Sequence, residues 1–183
     1  VTELVTGIDL VREQIRIASG SPLALTQKDI VIQGHAIECR INAEHPETFV
    51  PCPGLVTDYH APGGLGVRVD SGLYAGYSIP PYYDSMVAKL IVWGTDRAQA
   101  LARLDVALAQ THIVGLHTNV AFLRRVVASR SFAQADLDTA LIERERSALF
   151  GAPPLALEVA AAGVVAHALA HERAGEDADP WSR

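Results

Sequence analysis

The residues best able to do chemistry lie in one stretch, Gly34-His-Ala-Ile-Glu-Cys-Arg-Ile-Asn-Ala-Glu44. From Ala36 the stretch alternates, with Ala36, Glu38, Arg40, Asn42 and Glu44 on one face and Ile37, Cys39, Ile41 and Ala43 on the other. A period of two is that of an extended strand, so the apolar set is expected to face a core. Arg40 falls between Glu38 and Asn42, with Glu44 beyond, and neighbours of this kind can hold a guanidinium in one pose. A held guanidinium stays charged at any working pH and offers parallel donors to an oxyanion. The same pattern also describes a solvated strand with a row of surface ion pairs, each worth about 0–1 kcal/mol.

The elements that must position this strand read as follows. Thr2–Gly7 opens with a helical turn, Asp9 caps a helix over Leu10–Ala18 that Gly20 ends, and Thr26–Asp29 forms a short capped turn. Pro46 stops the strand. Phe49–Gly54 cannot be a central strand, because proline removes ladder donors, so it is expected to be a rigid loop before a strand at Leu55–His60. Ala61–Gly66 reads as a hairpin-like turn into a strand at Val67–Asp70, and Gly72–Ser78 as a loop. Met86–Trp93 is an apolar run, rich in branched residues, that fits a strand. Thr95 or Asp96 then caps a helix over Arg97–Ala109 with Ala98, Leu101, Leu104, Val106 and Leu108 as its apolar residues. Ile113–Val114 is a short strand, and helices follow at Asn119–Ala128 and Leu141–Leu149. This order predicts an α+β domain over 1–150, a mostly antiparallel sheet packed by helices on one side. The alanine-rich segment from Pro154 predicts a helix over Leu155–Arg173 and a polar exit. Residues 151–183 are therefore read as a helical linker or the start of a following domain.

Other candidate groups have plainer readings. His35 and His45 flank the strand and are read as structural. His167 and His171 stand four apart on the last helix and could share a metal face, but neither a zinc-protease glutamate nor a third ligand accompanies them. Cys39 and Cys52 lack metal-ligand spacing and fit reduced structural thiols of a cytoplasmic protein. Pro62–Gly66 joins strands rather than opening a helix, so it is no phosphate loop. The chain has 183 residues, a net charge of −6 and 49% hydrophobic residues. The acidic balance argues against nucleic acid or an anionic membrane as partner, and no apolar run of spanning length is present. Because the chain begins with Val1, it is read as starting within a longer protein.

Three blocks, Gly34–Pro46, Phe49–Gly54 and Pro80–Met86, stand in order. Together they resemble the carboxy-terminal part of biotin carboxylase, the ATP-grasp component of biotin-dependent acyl-CoA carboxylases, from Val1 to about Phe150. The resemblance implies a barrel-sandwich-like domain and a reaction that joins bicarbonate to carrier-bound biotin at the expense of ATP, by way of carboxyphosphate. It implies that Arg40 stabilises the enolate form of biotin's ureido group as N1 is deprotonated. It places Tyr82, Tyr83 and Asp84 near the biotin end of the site, although a structural turn with Asp84 capping backbone amides remains the alternative. It also implies biotin, ATP and magnesium as cofactors, with the ATP and metal ligands preceding Val1, so the 183 residues alone are expected to be inactive. The expected partners are bicarbonate, a biotinylated carrier domain and a carboxyltransferase β subunit in an oligomeric, cytoplasmic holoenzyme. Leu65 and Arg68 match a region that forms the subunit interface of dimeric members. Ile113–Val120 and the alanine-rich tail most resemble the 3-methylcrotonyl-CoA type, while acetyl- or propionyl-CoA enzymes, pyruvate or urea carboxylase and a non-catalytic assembly module remain open. An apolar face left uncovered predicts poor solubility of the chain by itself.

Overall fold

The structure, a computed structural model, describes residues 1–150 and 156–176, the last six as backbone only. The chain divides into two compact units, Val1–Phe150 and Gly151–Arg183. The first unit is built around a sheet of three antiparallel strands, β1 (His35–Asn42), β4 (Val67–Ser71) and β6 (Met86–Gly94), in the order β1-β6-β4. Two short pairs complete the strands: β2 (Gly54–Leu55) with β5 (Ser78–Ile79), and β3 (Asp58–His60) with β7 (His112–Val114). The alternation of β1 becomes a two-faced sheet. Ile37, Val92 and Val67 form one row of the inner face, and Cys39, Leu90 and Val69 the next.

That inner face is closed by α3 (Arg97–Gln110) and α4 (Val120–Ala128). The Asp96 carboxylate starts α3 by accepting from the Gln99 N–H at 2.8 Å. Ala100, Leu104, Ala107 and Leu108 of α3 are each at most 2% exposed, a spacing that makes one stripe of a 3.6-residue helix. This differs from the expected apolar set. Ala98 and Val106 face solvent, because a helix of alanines and leucines carries more apolar residues than its buried stripe can take.

Before the sheet come α1 (Thr2–Thr6) and α2 (Leu10–Ala18), followed by a 3-10 turn at Gln27–Asp29. Asp9 caps α2 as expected, its side chain accepting from the Arg12 N–H at 2.9 Å. Asp29 accepts from both the N–H and the hydroxyl of Thr26, and these bonds hold its carboxyl below the usual range. α2 buries none of its residues, and Val11 and Ile15 are 60% and 62% exposed. This surface leads us to expect that the 183 residues self-associate, which gel filtration would show as a peak above monomer size; a monomeric, cooperative melt would contradict it.

Several expectations are corrected. The strand expected at Leu55–His60 is split at Val56–Thr57, so its two pieces pair with different partners. The Ala61–Gly66 turn is no hairpin, since β3 and β4 belong to different sheets. It is nonetheless tightly fixed. Gly66 has φ +74° and accepts from the Trp93 N–H at 2.8 Å, and a Cβ there would stand 2.8 Å from the Trp93 carbonyl and against the Arg103 guanidinium. Gly66→Ala should therefore destabilise the protein by more than the ~1–2 kcal/mol of a left-handed backbone alone, read as a lowered denaturant midpoint. The helix expected over Leu141–Leu149 breaks at Glu145 into α6 (Leu141–Arg144) and α7 (Arg146–Leu149), and the structure adds a further helix, α5 (Arg130–Ala133). In the second unit, α8 runs Leu157–Glu176, so the helix continues through Ala174, Gly175 and Glu176, which were expected to open the polar exit; the expected start at Pro154 and the rest of that exit lie outside the described residues. Among the described residues, no helix is long and apolar enough to cross a membrane.

Candidate functional site

The outer face of the sheet carries the charged groups. Register places Glu38, Ile91 and Arg68 in one row and Arg40, Lys89 and Asp70 in the next. Arg68 donates to Asp70 at 2.9 Å and to Glu3 of α1 at 3.1 Å. The Arg68 hydrogen bond, helped by the charge of Lys89, holds the Asp70 carboxyl below the usual range. A cavity of about 230 Å³ opens here, with Glu3, Glu38, Arg68, Asp70 and Lys89 in its wall.

Arg40 lies on the edge strand of this face and does not line that cavity, and it is not held as the local pattern suggested. Its guanidinium is exposed and, among the described residues, has no hydrogen-bond or ion-pair partner. The expected clamp fails because Asn42 and Glu44 are committed elsewhere. The Asn42 side-chain amide donates to Glu44 at 3.3 Å and Ser85 donates to the same carboxylate at 3.4 Å, with Glu44 only 9% exposed. What fixes Arg40 is its backbone, paired with β6 on one edge and held by Asn119 on the other, where the side-chain amide donates to the Arg40 carbonyl at 3.0 Å. Its cross-strand partner is Lys89, whose other cross-strand neighbour, Asp70, partly offsets the two like charges, while the Arg40 guanidinium itself makes no ion pair among the described residues.

Tyr82, Tyr83 and Asp84 form the turn that leads into β6. Tyr82 and Tyr83 are 85% and 83% exposed. Asp84 accepts from the Met86 N–H at 3.0 Å, the geometry of a turn-stabilising carboxylate. Tyr83 and Asp84 line a second cavity of about 320 Å³ with Tyr77, Ile79 and Pro80, which Arg40 does not reach. The Ser85 carbonyl accepts from the Ala43 N–H at 2.8 Å, so the turn is tied to the end of the strand that carries Arg40 without sharing a cavity with it.

The remaining candidates are placed as follows. His35 meets Arg97 at 3.2 Å, and the His45 ring accepts from the backbone of Glu47 at 3.3 Å; both are structural contacts. Leu65 is 91% exposed, whereas Arg68 sits on β4 rather than in the glycine-rich turn and is engaged within the chain. Of His167 and His171, the latter's side chain lies outside the described residues. Among the described residues no three acidic, histidine or cysteine groups come together as a metal site. Cys39 and Cys52 are free thiols, and burial, followed by the charge of Glu38, pushes the Cys39 thiol up to about 12. A thiol reagent near neutral pH should therefore label Cys52 and spare Cys39 until the fold opens; mass spectrometry of the labelled peptides would check this.

Two residues that the fold brings to Arg40 carry little signal in the sequence. Lys89 lies inside an apolar run, although it is the single charge there and its parity matches the outer face. Asn119 stands at a helix start, and nothing local marks its distant partner.

Fold and site together define a class: a small α+β domain whose antiparallel sheet presents an arginine that has no side-chain partner among the described residues. Residues 38–144 match the model of the biotin carboxylase C-terminal domain, and the chain belongs to that family. It is 53% identical over 147 residues to a pyruvate carboxylase subunit of Methanothermobacter thermautotrophicus, covering 80% of this chain and 30% of that protein. It is 51% identical over 145 residues to the biotin carboxylase of Pseudomonas aeruginosa, covering 79% and 32%. Among solved structures, the biotin carboxylase domain of Hydrogenobacter thermophilus 2-oxoglutarate carboxylase, a dimer in complex with MgADP, ADP and bicarbonate, aligns with a TM-score of 0.80 at 41% identity. That alignment covers 84% of this chain and 34% of the other. The chain thus spans about a third of the length of the curated relatives it matches. The relatives are biotin carboxylases and a pyruvate carboxylase subunit, and a 3-methylcrotonyl-CoA type is not specifically supported.

Proposed function

We propose that this chain is the carboxy-terminal wall of a biotin carboxylase active site, in a larger polypeptide that carboxylates carrier-bound biotin with bicarbonate and ATP. One observation carries the reading: Arg40 is fixed through its backbone, has no side-chain partner among the described residues, and stands across from Lys89. That donor set suits an anion. When bound, biotin supplies a ureido oxygen that becomes negative as N1 loses its proton; the Arg40 guanidinium holds that oxygen, and Lys89 adds positive potential beside it. Tyr82 and Asp84 border the approach of the biotin end. The ligands for ATP and magnesium are proposed to belong to the part of the relatives' length that this chain does not span, and 151–183 to a linker or following domain. In this reading the enzyme works in the cytoplasm, in an oligomer with a biotinylated carrier domain and a carboxyltransferase β subunit.

The acceptor proposed is an acyl-CoA of the 3-methylcrotonyl type, on the strength of Ile113–Val120 and the alanine-rich tail. The alternative of a 2-oxo acid acceptor is favoured by the identity to a pyruvate carboxylase subunit. The test is ATP-dependent fixation of labelled bicarbonate by the holoenzyme, offered 3-methylcrotonyl-CoA, propionyl-CoA, pyruvate or urea in turn. Label entering an acyl-CoA alone supports the proposal, and label entering pyruvate or urea replaces the acceptor. The absence of carboxybiotin with every acceptor would leave an assembly module.

A further inference from the structure

Asn119 does not do what an asparagine at a helix start ordinarily does. It precedes α4, whose Leu123 N–H donates to its backbone carbonyl at 2.9 Å, but its side chain caps none of the helix N–H groups. Its side chain, on a residue 5% exposed, is turned instead to a strand 77 positions earlier. There its Oδ1 accepts from the Asn42 N–H at 2.9 Å, its Nδ2 donates to the Arg40 carbonyl at 3.0 Å, and its own backbone N–H donates to the Asn42 carbonyl at 3.1 Å. The orientation of the amide is settled by its partners, since an N–H must meet oxygen and a carbonyl must meet NH2. Among the described residues, β1 is an edge strand with β6 as its one sheet neighbour. Asn119 therefore supplies the pairing that a further strand would give, at the two residues around the guanidinium of the site. The sheet register shifts between Ile41 and Asn42, so the ladder with β6 loosens just where Asn119 takes hold.

We propose that Asn119 is a positioning residue for Arg40: it locks the backbone of Arg40 and Asn42 on the open edge of the sheet, so that an otherwise unpartnered guanidinium is aimed at the developing oxyanion. This role rests on the oxyanion reading of Arg40 given above. Asn119→Asp is the sharpest probe. It keeps the backbone bond and the acceptor for the Asn42 N–H, and sets an oxygen against the Arg40 carbonyl in place of a donor. Asn119→Ala, which removes both side-chain bonds without adding a charge, is the second variant should the first not fold.

The experiment compares wild type, each Asn119 variant, Arg40→Ala and the double variant, all as full-length protein, for biotin-dependent carboxylation, KM for ATP and melting temperature. For a displaced catalytic group, Asn119→Asp should lower kcat by about 10-fold or more with KM for ATP unchanged. The double variant should be no slower than Arg40→Ala alone, because residues acting as one unit are not additive. The proposal is overturned if the folded Asn119 variants carboxylate at the wild-type rate, or if the double variant falls by the product of the two single losses. If Arg40→Ala itself works at the wild-type rate, the reading of Arg40 fails and the positioning role falls with it.

Discussion

Arg40→Ala in the full-length protein should lower carboxybiotin formation by ~10²–10³-fold, the range seen when an oxyanion donor is lost, while nucleotide binding survives. The reasons are local. The side chain is exposed and bonded to nothing else among the described residues, so its removal leaves no buried group unsatisfied and opens no cavity. The backbone bonds that hold β1 come from its neighbours' main chain and from Asn119, and alanine keeps them. A loss of carboxylation with an unchanged melting temperature therefore reports on chemistry. Carboxybiotin formation and biotin-independent ATP cleavage should be followed separately. If carboxylation persists near the wild-type rate, Arg40 is an ordinary surface residue of the sheet and the site assignment fails, although membership of the family stands. Arg40→Lys is informative beside it. Lysine keeps the charge but not the parallel donors, so a recovery to the wild-type rate would assign the role to charge alone.

The second large effect belongs to the core. Leu90→Ala should cost about 2–5 kcal/mol of unfolding free energy, measured by denaturant titration. Leu90 is 1% exposed in the central strand of the sheet, between Cys39 and Val69, with α3 above it. Neither neighbouring strand can move inward to fill the gap without breaking its register with β6. Val106→Ala is the control. Val106 is apolar and on α3, yet 55% exposed, so its truncation should stay within about 0.5 kcal/mol. Equal losses from the two variants would mean that α3 packs on a different face.

Much of this was legible in the chain itself. The period of two in Ala36–Glu44 determined which side chains of β1 face the core, because a strand has only two faces and the apolar set can occupy only one. The Asp9 and Asp96 caps, the prolines of Phe49–Gly54 and the apolar run of Met86–Trp93 marked boundaries for similar short-range reasons: each depends on bonds within a few residues. The three motif blocks were specific enough to give the family.

Tertiary structure decided the rest. Whether Leu55–His60 is one strand or two depends on which distant strand each half meets, and Ser78–Ile79 counts as a strand only because Gly54–Leu55 lies beside it. The surroundings of Arg40 were equally out of reach. Sequence spacing put Glu38 and Asn42 next to it, but hydrogen bonds go to whatever donor or acceptor the fold brings closest. Glu44 draws Asn42 away, Lys89 arrives from β6, and Asn119 arrives from the start of α4. The sequence by itself determined that a strand would display an arginine. Only the packing of α4 against the open edge of that strand determined how the arginine is held, because a bond between residues 79 positions apart leaves no local trace in the order of amino acids.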